Sequence, residues 1–498
     1  MFFDVLSRIT DPTTLIAIAA SAVFGVFMGA VPGLTATMAT ALLVPITFFL
    51  PPIPAIATMV TATAIAIFAG DIPGCLLRMP GTPASAAYTD ETYQMTRRGE
   101  AELALGASLM SSAFGGLFGT AVLIAGAPIL AEFATRFSSV EYFWLVVLGL
   151  TCTVGIGSAD PIKGIIALSF GLLVSMVGLN NPAGTPRFTF GQTALFDGVS
   201  LIPMMVGMFA LSEILRFAAS GTRSLDKVAT PSGSILRGVG AMFLKYPVQI
   251  LRGSMLGTLI GALPGAGADI AAWMSYGISR RYSREQEKFG TGHVEGVLEA
   301  GASNNSALAG AWVPALVFGI PGDSITAIVI GVLFMKNLNP GPQLFTSDPV
   351  SIYSIFALFV IANIIMIPLG LLAIRLFSRL MRVPRQVIMP CILIFCIVGS
   401  YAVNNSLFDV GLMLGFGVLA FVLEESGFPG SPAILGVILG SMLENYFVTT
   451  MISSGGDLTA LVSRPIAATL AIIVVLIWSV PLLLRLSTRP KPINSAGH

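Results

Sequence analysis

The feature that most constrains this 498-residue chain is an apolar stretch, interrupted by glycine and proline, that occurs twice. The clearer copy, Gly257 to Tyr276, reads GTLIGALPGAGADIAAWMSY and sets Pro264 among Gly257, Gly261, Gly265 and Gly267. The earlier copy, Gly25 to Thr40, reads GVFMGAVPGLTATMAT. Its Gly25, Gly29, Ala30, Pro32 and Gly33 match Gly257, Gly261, Ala262, Pro264 and Gly265 at one constant offset. A second pair, DIPGCLLRMPGT and WVPALVFGIPGD, follows at a slightly larger offset, so that Pro73, Pro80 and Gly81 match Pro314, Pro321 and Gly322. Such breaks free backbone groups inside segments long enough to span a bilayer, and lipid cannot hydrogen-bond them. Protein, water or a ligand must do so. Interrupted segments at corresponding places in two halves are the sequence mark of a transporter's binding site.

Composition supports the membrane setting. Hydrophobic residues make up 55% of the chain and charged residues only 10%, with a mean hydropathy of +0.87, whereas soluble domains carry roughly 25% charged residues. The apolar runs are too long for strands and lack strict alternation, so the expected class is an all-α integral membrane protein with about 10–14 membrane segments. No basic patch suggests nucleic acid. Cys75, Cys152, Cys391 and Cys396 lie in apolar stretches without metal-ligand spacing, and His293 and His498 are the only histidines. A metal centre or a catalytic triad is therefore not expected, and the chain does not read as an enzyme.

In chain order, Leu15 to Leu50 reads as two helical pieces meeting near Pro32 and Gly33, followed by Ile53 to Leu77. Tyr88 to Glu102 is polar and reads as an aqueous loop. Further spans are expected at Leu103 to Ile129, Tyr142 to Ile156, Ile162 to Leu179 and Val199 to Phe217. From Arg216 to Arg252 the basic residues Arg216, Arg223, Lys227, Arg237, Lys245 and Arg252 face the single acid Asp226, which reads as a cytoplasmic linker. The expected organisation is a first repeat at 1–218, the basic linker at 219–250, a second repeat at 251–486 and a basic cytoplasmic tail at 487–498. In the second half a charged loop, Arg280 to Glu295, precedes Ala300 to Met335. Ser351 to Ile374 leads into the basic cluster Arg375, Arg379, Arg382 and Arg385, and four apolar runs between Val387 and Leu484 complete the chain. The basic clusters agree on one side, that of the C-terminus.

The motifs GALPGAGADIAAWMSYGISRR, FGTGHVEGVLEAGASNNSALAGAWVPALVFGIPGDSITA, GAVPGLTATMATALLVPITFFLPP and MPGTPASAA resemble the large membrane subunit of the tripartite tricarboxylate transporters, over nearly the whole chain. The resemblance implies a bacterial plasma-membrane subunit that works with a small four-span membrane subunit and a periplasmic solute-binding protein. It further implies uptake of di- or tricarboxylates driven by a sodium or proton gradient, with no other cofactor. An anion channel, or a stand-alone carrier for another small organic anion, is the alternative.

The residues offer a physical basis for anion binding. Each broken segment supplies a half-helix whose N-terminal amides are unpaired and carry a partial positive charge. Pro32, Gly33, Pro80, Gly81, Pro264, Gly265, Gly267, Pro321 and Gly322 form the breaks, and glycine at Gly33, Gly81, Gly265 and Gly322 would let a ligand approach the backbone. Thr35, Thr37, Thr82, Ser85 and Ser324 would offer hydroxyls, and Arg78 a cation. Asp269, Asp323, Thr326, Asn304 and Asn305 are the candidates for cation coupling. Bland alternatives stand beside these: the breaks as packing kinks, the aspartates as helix caps, and the asparagines as bridges between helices. Against the family pattern, Asp269 and Asp323 stand where neutral residues are usual, Asp71 replaces a small polar residue, Arg78 replaces an amide, and Gly301 stands where a Glu is usual. These departures bear on substrate and ion coupling more than on the fold.

Overall fold

A computed structural model describes residues 2–155, 160–179, 184–220, 233–380 and 385–487. Helices account for nearly all of the regular structure, and no strands occur among the described residues. Eight helices there are long and apolar enough to cross a membrane, and five shorter apolar helices accompany them.

The first glycine-proline break separates α2 (Pro12–Ala30) from α3 (Ala36–Phe48), after a short amphipathic α1 (Phe2–Thr10). Pro12 opens α2 at a position where its missing N–H costs nothing, and Asp11 caps the Thr13 and Thr14 amides. Next come α4 (Pro52–Ala69), α5 (Asp71–Leu77) and α6 (Ala86–Arg97), the last two flanking the second break. The stretch expected as an aqueous loop is therefore largely helical. Its α6 buries Tyr88, Thr89, Glu91, Thr92 and Met95, because the polar members of that face find partners. Glu91 accepts hydrogen bonds from the amides of Gly290 (2.5 Å), Gly292 (2.8 Å) and His293 (2.8 Å) and from the Tyr276 hydroxyl (2.7 Å).

The remaining helices of the first half are α7 (Ala101–Ala134), α8 (Ser139–Gly155), α9 (Pro161–Ser175), α10 (Leu201–Val206) and α11 (Ser212–Ser220), with a π-helical turn at Gly207–Leu211 joining the last two. Of the expected linker, residues 221–232, including Arg223 and Lys227, lie outside the described residues. Its later part folds as α12 (Val239–Lys245) and the start of α13 (Pro247–Gly261). The third break leads to α14 (Gly267–Tyr282), and the fourth separates α15 (Val294–Phe318) from α16 (Ser324–Met335). After α17 (Pro342–Ser347) and α18 (Pro349–Leu380), the chain ends in α19 (Arg385–Asn404), α20 (Leu407–Glu425), α21 (Gly430–Ser453) and α22 (Pro465–Ser487). Arg382 and the basic residues Arg489 and Lys491 of the expected tail lie outside the described residues.

Two helices sit at the centre. Every residue of α15 except Phe318 is buried, and so is every residue of α4 except Pro52. In lipid, helices gain little from the hydrophobic effect against one another, so close backbone approach at small residues must supply the packing. That is what the glycines do here. A Cβ added at Gly25 would fall 2.5 Å from the Ala62 carbonyl oxygen, and one at Gly29 would strike Ala66; Gly257 and Gly261 meet Ser303 and Ala307 of α15 in the same manner. On the other flank of α15, Gly115 and Gly119 of α7 press against Ala302 and Ser306. Even α15's charged contact is local: Arg252 of α13 reaches the buried Glu299 with two hydrogen bonds of 2.6 Å.

Candidate functional site

The four breaks are not scattered. Within the first half, Gly81 lies against Gly29 and Gly70, donating its N–H to the Gly70 carbonyl at 3.0 Å. Within the second, Gly322 lies against Gly261 and Ala311, and its carbonyl accepts the Gly265 N–H at 2.8 Å. Beside the breaks two bonds cross between the halves, in addition to those of Glu91: the Ala84 amide donates to Asp269 Oδ1 at 3.0 Å, and the Trp273 indole donates to the Pro83 carbonyl at 3.1 Å.

Around this junction lies a chamber of about 300 Å³. The starts of three helices face it: Thr35, Ala36 and Thr37 at α3, Gly267, Ala268 and Asp269 at α14, and Asp323, Ser324 and Ile325 at α16. Thr82, Pro83 and Ala84 contribute the loop before α6, and Asn304 comes from α15. Gly265 and Gly267, with φ of 80° and 65°, adopt the left-handed backbone that this sharp re-entry requires. Helix starts of this length bring unpaired amides and partial positive charge to the wall.

The same wall carries more negative than positive side chains. Asp269 and Asp323 belong to the breaks, and Glu213, Arg216 and Glu424 come from α11 and α20. Arg216 donates to Glu213 at 2.7 Å and to Glu424, with Glu425 3.6 Å away. Four carboxylates thus line the chamber against one guanidinium. Asp323 also caps α16: its Oδ1 accepts the Thr326 amide and hydroxyl, both at 2.7 Å, while Thr326 Oγ1 accepts the Asp323 N–H at 2.9 Å. The capping role weighed for Asp323 is therefore present, in addition to its place on the wall. Asp269 differs, since its hydrogen bond reaches across to the other half.

Of the residues singled out from sequence, Thr35, Thr37, Thr82, Gly265, Gly267, Ser324, Asp269, Asn304 and Asp323 line the chamber. Pro32, Gly33, Pro80, Gly81, Ser85, Pro264, Pro321, Gly322, Asn305 and Thr326 stand behind or beside it. Gly81 and Gly322 are buried in helix packing, so their lack of a side chain serves backbone against backbone. Ser85 accepts the Thr82 amide at 3.1 Å and shapes the loop. Asn305 turns toward α4 and donates to the Ala64 carbonyl at 3.4 Å. Arg78 is the clearest outlier. It ends α5 in a left-handed conformation (φ 57°), is exposed, and pairs with Asp90 at 2.9 Å away from the chamber.

Sequence reasoning missed Arg216 and Glu424. In the sequence Arg216 reads with the linker's positive charges, although it ends an apolar span and follows the acid Glu213 by one helical turn. The adjoining π-helical turn, which sets Met208 and Phe209 on the wall, left no trace in the sequence pattern.

No solved structure matches this chain. A protein of Agrobacterium vitis named "Uncharacterized 52.8 kDa protein in TAR-I ttuC' 3'region" is 32% identical over 464 residues, covering 92% of this chain and 91% of its own length. A second from the same organism, "Uncharacterized protein in TAR-II ttuC' 3'region", is 36% identical over 214 residues, covering 43% of this chain and 88% of its own. The model of the tripartite tricarboxylate transporter TctA family matches residues 15–435, and the chain belongs to that family of membrane transporter subunits.

Proposed function

We propose that the chain carries di- or tricarboxylates across the bacterial plasma membrane as a secondary symporter. On this reading the chamber is the carrier's binding site. A periplasmic binding protein delivers the substrate, and a small four-span membrane subunit completes the assembly, in keeping with the family's tripartite description. We also read the two halves as related repeats, a reading supported by the close approaches that recur at matched positions: Gly29 with Gly81, and Gly261 with Gly322.

One observation carries the coupling. Three helix starts and Arg216 favour an anion, yet four carboxylates share the same wall. Two like charges 4 Å apart repel by about 4 kcal/mol at an effective dielectric of 20. A carboxylate substrate therefore enters this chamber together with a compensating cation or proton. The second-half carboxylates Asp269 and Asp323, beside Asn304, supply the cation's oxygens. The first-half hydroxyls Thr35, Thr37 and Thr82, with Arg216, receive the substrate.

The test is uptake of labelled di- and tricarboxylates by vesicles reconstituted with all three components, with sodium and proton gradients imposed in turn. Uptake should follow one imposed gradient, and unlabelled substrate inside should stimulate exchange. Uptake indifferent to both gradients, without trans-stimulation, would mean a pore and end the proposal.

A further inference from the structure

Behind the chamber lies a buried carboxylate that the transport reading does not use. Asp71, at the start of α5, is 2% exposed, and no Lys, Arg or His among the described residues forms an ion pair with it. Its partners are two hydroxyls: Tyr88 donates to Oδ1 at 2.7 Å and Ser108 to Oδ2 at 2.5 Å. A charge-bearing side chain at this depth is costly, and retaining one calls for a task.

The hydrogen bonds show what that task is. A tyrosine hydroxyl has one proton to give, and Tyr88 gives it to Asp71. Toward Asn304 its oxygen can therefore only accept, and it takes the Asn304 Nδ2–H at 3.3 Å. The amide's orientation follows from that bond. Asn304 Oδ1 is buried without a hydrogen-bond partner, on a residue that lines the chamber. An orphaned amide oxygen of this kind suits a hard monovalent cation, which takes oxygen ligands, and not a proton at neutral pH.

We propose that Asp71, acting through Tyr88, holds the Asn304 amide so that its carbonyl oxygen serves the chamber as a ligand for sodium. Asp71 is thus a positioning residue two hydrogen bonds from the ion, as outer-shell partners orient metal ligands elsewhere. The inference rests on the proposed cation-coupled reading of the chamber. Without the Asp71 acceptor, the Tyr88 proton turns to Asn304 Oδ1 and the amide inverts, presenting its NH₂ to the ion.

The test is sodium binding by the purified full chain in detergent, read as the rise in unfolding midpoint with sodium chloride against choline chloride at equal ionic strength. The wild type should show a saturable rise, and Asn304→Ala should lose it. Asp71→Leu and Tyr88→Phe should each raise the half-saturating sodium concentration about five-fold, the worth of one ordinary hydrogen bond. Adding Asn304→Asp to Asp71→Leu should restore the sodium response, since the Tyr88 proton can then take one carboxylate oxygen and leave the other for the ion. A wild type indifferent to sodium would overturn this inference, and the coupled reading would fall with it only where uptake also ignored an imposed proton gradient. A response lost in Asn304→Ala but unmoved in both Asp71→Leu and Tyr88→Phe would overturn the inference alone. Should Asp71→Leu fail to fold, Tyr88→Phe, which keeps the Asp71 to Ser108 bond, decides the matter.

Discussion

The first-half breaks and the second-half breaks share a packing scheme but differ in chemistry. In both, a glycine pair on one helix meets a buried central helix, and a Pro-Gly turn folds back against the second glycine of the pair: Gly25 and Gly29 meet α4, with Gly81 against Gly29, and Gly257 and Gly261 meet α15, with Gly322 against Gly261. What the turns present to the chamber is not the same. Thr37 and Thr82 offer hydroxyls, while the matched positions in the second half carry Asp269 and Asp323. Geometry is thus held by small residues with no room to grow, while the charge stands on side chains beside the turns. The chamber is two-sided in its side chains while the two pairs of turns share one packing scheme.

The comparison can be broken first at its shared part. Gly29→Val and Gly261→Val should each destabilise the protein by about 3 kcal/mol, since neither site has room for a side chain. Unfolding midpoints in detergent check this, and a large inequality between the two would mean that the halves are not packed alike. The chemical difference comes next. Asp269→Asn should raise the half-saturating cation concentration for uptake by about ten-fold, roughly 1.4 kcal/mol, whereas Thr37→Val should raise the substrate KM about five-fold and leave cation dependence alone. Sodium and pH dependence unchanged in Asp269→Asn would remove that residue from the coupling site.

Caps give a smaller contrast. Asp323→Ala removes the carboxylate oxygen that accepts both the Thr326 amide and the Thr326 hydroxyl and should cost about 2 kcal/mol of stability. Thr35→Ala loses the single bond to the Met38 amide (3.1 Å) and should cost about 1 kcal/mol. Equal losses would show that the Thr326 hydroxyl bond to the Asp323 carboxylate contributes nothing. The smallest effect is expected outside the chamber: Arg78→Ala removes an exposed ion pair, and stability should move by no more than about 0.5 kcal/mol with uptake unchanged. A large loss of uptake would return Arg78 to the transport path.

Much of this architecture was legible in the sequence, for a definite reason. Proline and glycine act on the backbone locally, so the pieces α2 and α3, α13 and α14, and α15 and α16 could be read around Pro32, Pro264 and Pro321 without knowing what they pack against. The helix α6 could not. Its buried face is made of Tyr88, Thr89, Glu91 and Thr92, which looks solvent-facing until the distant amides at 290–293 are seen to satisfy Glu91. Asp71 and Tyr88 belong together only because the chain folds back through the second break. Arg216 was obscured by neighbouring positive charges whose position along the chain says nothing about depth. Local stiffness is written residue by residue; polar partnership across a fold is not.

The Glu91 clasp has a mechanical consequence. Pulling α6 away from the turn between α14 and α15 would strip four hydrogen bonds from one carboxylate at once, and the Arg98 side chain adds another to the Thr291 carbonyl at 2.9 Å. Parting α16 from α21 breaks the Ser324 to Ser431 bond of 2.8 Å, worth only about 1 kcal/mol. The loop at 290–293 is thus riveted to α6 through one carboxylate, whereas α16 is latched to α21 by a single hydroxyl pair, so the two contacts differ several-fold in the number of hydrogen bonds that must break together.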